Sequence, residues 1–489
     1  MEKIKEMFKD KKYYFCLLIV VVFFGIFCSI EFATDTYSVF QTPFKDMFMH
    51  FISSGRFITA IAYAGTKLLH LGNNSTYLLS FIFAIICMSI SIYKLENLFS
   101  KDIKSKSISI IAAILIIVNI FSIELYLFIE KGILMLSVLF CVCAIEELVK
   151  YFEGNKKSLI GIFVYMILAN FSYQGTVGLF IAISLLYIVK HTKDIKSFVT
   201  NTIVTGLGYA VPALINYCLV RFIFTNNRVN GTNNFLESVT KIITGTKTMM
   251  ISTFEIMPKY LFVGFIAIMA FLIIYKIVRS NINNKKKTLL VLGMFMVILG
   301  NFVVTIFPQI MQNTASIWFV PRSTYTFASL LGILLAYLFM NTDVNIKLEK
   351  VLVIIFVIYM SIQYVSFQNI SKGRYIVNYM DNYTAMQIQE RIEIYEKESK
   401  TKVSKISFYE GTSKKYTYPN VFVNGDTNIK AFYPEWSRLN AITYYLNRDF
   451  EEVENSKEIQ QKYFSNKTSN FYNNEHVLIE GDTLHLYID

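Results

Sequence analysis

Two carboxylates, Glu31 and Asp35, stand in the stretch Glu31-Phe-Ala-Thr-Asp35-Thr-Tyr37, directly after the first long apolar run of the chain. A carboxylate at a membrane boundary can reach a lipid head group, stay hydrated enough to remain charged, and take a proton from a hydroxyl nucleophile. The plainer reading is a solvated loop acid, but no Lys or Arg lies within nine positions of Asp35 to serve as a local salt-bridge partner. The next group is Ser53-Ser-Gly55-Arg56. A guanidinium is a planar fork matched to phosphate oxygens, and a glycine beside it admits a ligand or another backbone. An Arg merely snorkelling to bulk lipid would look the same in sequence. Glu130-Lys131 follows in a short turn, with Glu124 upstream, and Ser172-Tyr173-Gln174-Gly175 occupies a later turn. Tyr173 and Gln174 can hydrogen-bond sugar hydroxyls; alternatively Tyr173 belongs to an interfacial aromatic belt. Pro321-Arg322-Ser323 opens a late apolar run. An Arg at the bilayer centre costs at least roughly 2.5–3.5 kcal/mol, so such charges face cavities; near a span end the cost is smaller. Arg228, in a long polar loop, is a further phosphate candidate.

Several chemistries find no support. The five histidines, His50, His70, His191, His476 and His485, have no ligand spacing. The six cysteines all fall in or at the ends of apolar blocks, so neither a disulfide framework nor a zinc site is legible. There is no P-loop, no GxGxxG after a strand and no HExxH, which argues against a nucleotide-driven pump and a zinc protease. No metal and no cofactor is expected. The formal charge of +12 sits between apolar blocks, which fits membrane loops better than a nucleic-acid partner.

The elements that must position these residues are membrane helices. Of the 489 residues 54% are apolar and 17% charged, and the apolar ones come in blocks of the length that crosses roughly 30 Å of hydrocarbon. About eleven spans are expected, near 13–30, 76–93, 107–127, 132–148, 158–172, 176–190, 198–224, 259–277, 288–306, 322–340 and 350–367. The basic run before the first block suggests a signal peptide, but the block is too long and lacks a small-residue cleavage site, so it is expected to be retained. Lysines crowd the N-terminus and the loops near 94–106, 150–157, 190–196, 276–287 and 347–350, while the opposite loops hold few cations. That bias puts the N-terminus in the cytoplasm and, with eleven spans, the tail outside. Residues 1–367 are therefore expected to form the membrane domain. Within it, 31–75 make a first outer loop carrying an amphipathic helix, and 225–258 a second. Residues 368–489 are expected to form a small extracytoplasmic α+β domain, with a charged helix over 377–400 and strands at 403–408 and 477–488.

Taken in order and by side of the membrane, these motifs resemble the bacterial multi-span glucosyltransferases that decorate O-antigen and related surface polysaccharides, of the GT-C class. The resemblance implies an all-α, GT-C-like polytopic enzyme of the plasma membrane. Its donor would be a polyprenyl-phosphate-linked sugar made on the cytoplasmic side, so a donor synthase and a flippase are implied partners, with a surface polysaccharide as acceptor and the lipid bilayer as host. Asp35, with Glu31 as second choice, would be the base. Arg56, Arg322, Lys131 and Arg228 would hold the donor phosphate, and Glu130, Tyr173 and Gln174 would shape the sugar or acceptor site. Two other readings fit the composition. One is a transporter or flippase of lipid-linked sugars, which usually places ionisable groups at span centres. The other is a surface-polysaccharide polymerase or ligase, which would usually carry a large outer loop between late spans.

Overall fold

The structure, a computed structural model, describes residues 2–224, 234–310, 314–410, 417–419, 421–422, 427–465 and 476–488. The chain divides into two compact units: 1–28, 48–126 and 130–367 form one, and 29–47, 127–129 and 368–489 the other.

The first unit is helical. Among the described residues eight helices are long and apolar enough to cross a membrane: Lys11–Cys28, Asn73–Phe99, Lys131–Phe152, Gln174–His191, Ile195–Ile223, Leu261–Arg279, Asn284–Phe307 and the apolar part of Ile346–Ser399. Three shorter apolar helices, Lys106–Ile117, Ser158–Ser172 and Leu330–Asn341, lie among them. The expected span 107–127 is not one helix, and the cause is a single amide. Asn119 is buried, and its Nδ2 donates to the carbonyls of Ile116 and Tyr325 while its Oδ1 accepts from the Phe121 amide. A buried amide must be satisfied. Here it takes backbone groups that the ending helix leaves open, and a short helix, Ser122–Leu125, follows.

The expected amphipathic helix of the first outer loop is likewise two helices, Phe44–Ser53 and Phe57–Leu68. They are separated at Gly55, whose φ of +73° breaks the helical path. Within the expected loop 225–258, residues Phe235–Ile251 form a further helix. Arg228 lies outside the described residues.

In the second unit the expected tail helix is the end of a 54-residue helix, Ile346–Ser399 (the long helix), which runs on without interruption from the last apolar stretch. The tail strands form a four-stranded sheet in the order β2-β1-β4-β3, where β1 is Lys405–Glu410, β2 Glu451–Glu452, β3 Val477–Glu480 and β4 Thr483–Ile488. β1 pairs parallel to both neighbours, with Lys405 opposite Thr483 and Glu410 opposite Ile488. The stretch 477–488 is a hairpin, turned at Gly481 with φ +60°. A helix, Arg438–Leu446, lies between β1 and β2 in sequence.

The core of this second unit contains charges. Arg374 and Asp381, on the charged part of the long helix beyond the apolar span, are both fully buried. Asp381 accepts from the Tyr418 hydroxyl at 2.8 Å and from the Ala431 amide at 3.0 Å. Burial pushes its carboxyl up to about 6, although those two hydrogen bonds and the nearby Arg374 and Lys430 oppose the shift. The folded value therefore lies above the ordinary carboxylate value of about 4. Its contribution to stability is fully present below about pH 4 and is lost as pH rises through about 6. Trp436 in this unit and Trp318 in the other are the two tryptophans of the chain, so Trp318→Phe leaves a fluorescence reporter of the second unit alone. In that background the unfolding midpoint should fall between pH 5 and pH 7.5, and Asp381→Asn should reduce the fall. An identical pH dependence in both proteins would show that Asp381 does not titrate in this window.

Candidate functional site

Tyr173 is the centre of the site. It follows the helix Ser158–Ser172 in an extended conformation, φ −162° and ψ +119°, which carries its ring off the helix. The ring lies over Gly175, where an added Cβ would meet ring carbons at 2.5 and 2.8 Å. Glycine is thus required two residues after the tyrosine for the ring to fold back. The Arg56 guanidinium stands 5.1 Å from the ring centroid, within the range of a cation–π contact. Tyr173 also lies within electrostatic reach of Arg322, Glu124 and Glu130.

The charges come from four places in the chain, with Glu130 and Lys131 together at the start of the helix Lys131–Phe152. Arg56 Nη1 meets Glu130 Oε1 at 3.5 Å, with side chains 24% and 14% exposed. Glu124, on the short helix that the Asn119 break creates, is completely buried. It accepts from the Arg322 amide at 2.6 Å and from its guanidinium at 3.3 Å. Lys131 is also completely buried, with its ammonium 3.3 Å from the centroid of the Tyr77 ring. Three cations, Arg56, Lys131 and Arg322, and two carboxylates, Glu124 and Glu130, leave an excess of positive charge. The two arginines keep part of their side chains accessible, whereas Lys131 is buried over the Tyr77 ring.

The backbone of Gly55 is clamped in place. Its carbonyl accepts from Gln174 Nε2 at 2.9 Å and from Asn216 Nδ2 at 3.0 Å, and Asn216 also bonds the carbonyl of Asn170. Gln174 in addition bonds the Ser54 carbonyl. The sequence-derived residues Arg56, Glu130, Tyr173, Gln174 and Arg322 are therefore brought together, with Lys131 adjacent. Gln174 serves the loop that carries Arg56, a positioning part that the sequence reading did not assign to it. Asn170, Asn216, Tyr77 and the ion-pairing of Glu124 were missed. The signal for the two asparagines was present, because an amide inside an apolar run needs a partner.

Asp35 and Glu31 belong to the second unit. Asp35 sits in the first turn of the helix Thr34–Gln41, partly exposed, and its Oδ1 accepts from the Trp436 indole at 3.1 Å. No ion pair of Asp35 is found among the described residues. Glu31 is buried and accepts from the Ser29 hydroxyl at 2.8 Å. The segment is pinned to the tail: Asn378 exchanges hydrogen bonds with the backbone of Phe32, and the hydroxyls of Tyr37 and Tyr445 meet at 2.6 Å.

The clamp makes Gly55 the most constrained position of the site. A Cβ there would meet Asn216 Oδ1 at 2.2 Å and Gln174 Nε2 at 2.9 Å, and the left-handed φ adds strain. Gly55→Ala should destabilise the protein by about 2–4 kcal/mol, and Ser54→Ala by far less. Thermal unfolding of the purified protein in detergent checks this; equal midpoints for the two variants would mean that the clamp is not rigid. Comparison with protein-family models, curated proteins and solved structures returns no match for this chain.

Proposed function

We propose that this chain is a membrane glycosyltransferase that moves a sugar, glucose or a similar hexose, from a polyprenyl-phosphate donor to a cell-surface polysaccharide. The observation that carries the reading is the net-positive group around Tyr173, set at the ends of apolar helices and flanked by the amide of Gln174. In this reading the eight long and three short apolar helices make eleven spans of a GT-C-like fold. The N-terminus is cytoplasmic, the tail is extracytoplasmic, and the enzyme works in the bacterial plasma membrane.

The chemistry follows from where charge develops. As the acceptor oxygen bonds to the anomeric carbon, the bond from that carbon to the donor phosphate breaks and its electron pair leaves with the phosphate. The anomeric carbon passes through an oxocarbenium-like state. Fixed cations aimed at the leaving oxygens are worth several kcal/mol, and Arg56 and Arg322, both partly accessible, are suited to that contact. Lys131, fully buried, contributes its field. Arg228 remains a further candidate for the phosphate. The acceptor proton goes to a carboxylate, and Asp35 takes this role because it is partly exposed and bonded to a neutral indole. Glu31, buried and bonded to Ser29, holds the loop in place. Attack opposite the leaving phosphate inverts the anomeric centre. A transporter of lipid-linked sugars is the less favoured reading, because the clustered charges of the first unit lie near helix ends.

The test is transfer of labelled sugar from a polyprenyl-phosphate donor to purified acceptor glycan, with donor binding measured separately. Asp35→Asn should abolish transfer while donor binding persists. Arg56→Lys should lose much of the activity, since a point charge does not replace a fork. Full activity in Asp35→Asn would remove that residue as the base. If no donor binds the wild-type protein, the glycosyltransferase reading fails.

A further inference from the structure

The outer face of the long helix in the second unit has a composition that neither solubility nor packing requires. Tyr375, Tyr379 and Tyr383 recur every four residues, so they line one stripe, and each is between 49% and 60% exposed. The rings of Tyr375 and Tyr379 are near-parallel, 20° apart, with centroids separated by 6.5 Å. From the end of this row onward, the same face forms the wall of an open groove of about 330 Å³ lined by Asn382, Met386, Gln389, Glu393 and, from the helix Arg438–Leu446, Tyr445.

The groove is built to accept hydrogen bonds. Gln389 donates to Glu393 at 2.6 Å, which holds that carboxylate in the groove. Glu390 and Glu393 both line the groove, and among the described residues no Lys or Arg does. Tyr445 is held by its hydroxyl contact with the fully buried Tyr37, 2.6 Å away, so its ring is a fixed wall. An anionic ligand is disfavoured by this lining. A ligand with many hydroxyl donors and an apolar ring face satisfies both the carboxylates of Glu390 and Glu393 and the row of tyrosines.

The geometry points to a binding platform for an uncharged saccharide chain running along the tyrosine row into this groove. From Tyr375 to Glu393 the face extends about 27 Å along the helix axis, long enough for several sugar rings. The tyrosine row itself, Tyr375 to Tyr383, covers about 12 Å along the axis, more than a lipid head-group layer of about 5–8 Å, so a tyrosine belt at the membrane surface accounts for it less well. The assignment stands apart from the transfer reading, since it concerns binding by the second unit alone. If both hold, this is where the acceptor glycan is held.

The experiment is saturation-transfer NMR on the full-length protein in nanodiscs with neutral trisaccharides of glucose, galactose and N-acetylglucosamine, and with glucose 6-phosphate as the anionic comparison. At least one neutral trisaccharide should receive saturation and the phosphate ester little. The variant Tyr379→Ala/Gln389→Ala should weaken the signal at least fivefold, while Tyr379→Phe, which keeps the ring, should retain most of it. These side chains are partly or largely exposed, so the fold should survive, and an unchanged elution volume checks this. Silence with all three trisaccharides, or an undiminished signal in the double variant, would overturn the proposal. Quenching of the single tryptophan of a Trp318→Phe/Trp436→Phe/Tyr379→Trp variant by brominated phospholipid, with no saccharide signal, would assign the face to lipid instead. Because no transfer is measured, failure here leaves the glycosyltransferase reading standing, and the reverse also holds.

Discussion

The ion pair between Glu124 and Arg322 is the constraint on which the first unit's polar centre depends. Glu124 has no exposed side-chain surface, and its two oxygens face the backbone amide and the guanidinium of the same residue. A buried carboxylate stripped of its partner costs about 3–5 kcal/mol, so the turn Pro321–Ser323 cannot leave the short helix Ser122–Leu125 without that loss. The short helix exists because Asn119 ends its predecessor. One buried amide and one buried carboxylate therefore join segments about 200 positions apart and bring Arg322 to Tyr173.

Around this pair the remaining parts have limited freedom. Tyr173 can occupy its place only because residue 175 is glycine, and Arg56 can face it only because Gly55 turns the chain and is clamped by Gln174 and Asn216. The site thus combines rigid supports with two partly accessible guanidinium groups. Such preorganisation is what electrostatic stabilisation of a leaving phosphate requires, since the cations need not reorganise as charge develops. Satisfied hydrogen bonds also make polar groups tolerable at the ends of apolar helices.

Much of this was legible in the sequence, and the failures have physical causes. Long apolar blocks identified the membrane helices, because the length of hydrocarbon fixes the length of the run. The stretch 107–127 is broken rather than continuous because Asn119 is more than one polar residue in an apolar window: its side chain competes for backbone groups. The amphipathic periodicity over residues 44–69 matches helical structure there, yet periodicity is blind to the positive φ that splits it at Gly55. Arg56, Glu130, Tyr173, Gln174 and Arg322 stood out by type and place. That Glu124 would be the buried partner of Arg322 depended on a contact across 198 positions, which one sequence does not display. Assigning residues 29–47 to the same unit as the tail was equally out of reach, since it rests on pairings such as Phe32 with Asn378 and Tyr37 with Tyr445.

The central claim is that this protein adds a sugar to a surface glycan. The most direct measurement is the sugar composition and repeat-unit length of the surface polysaccharide from cells with and without the protein. The account predicts that one side-branch sugar disappears without it while chain length is unchanged. An unaltered composition, or an accumulation of unpolymerised repeat units, would contradict it.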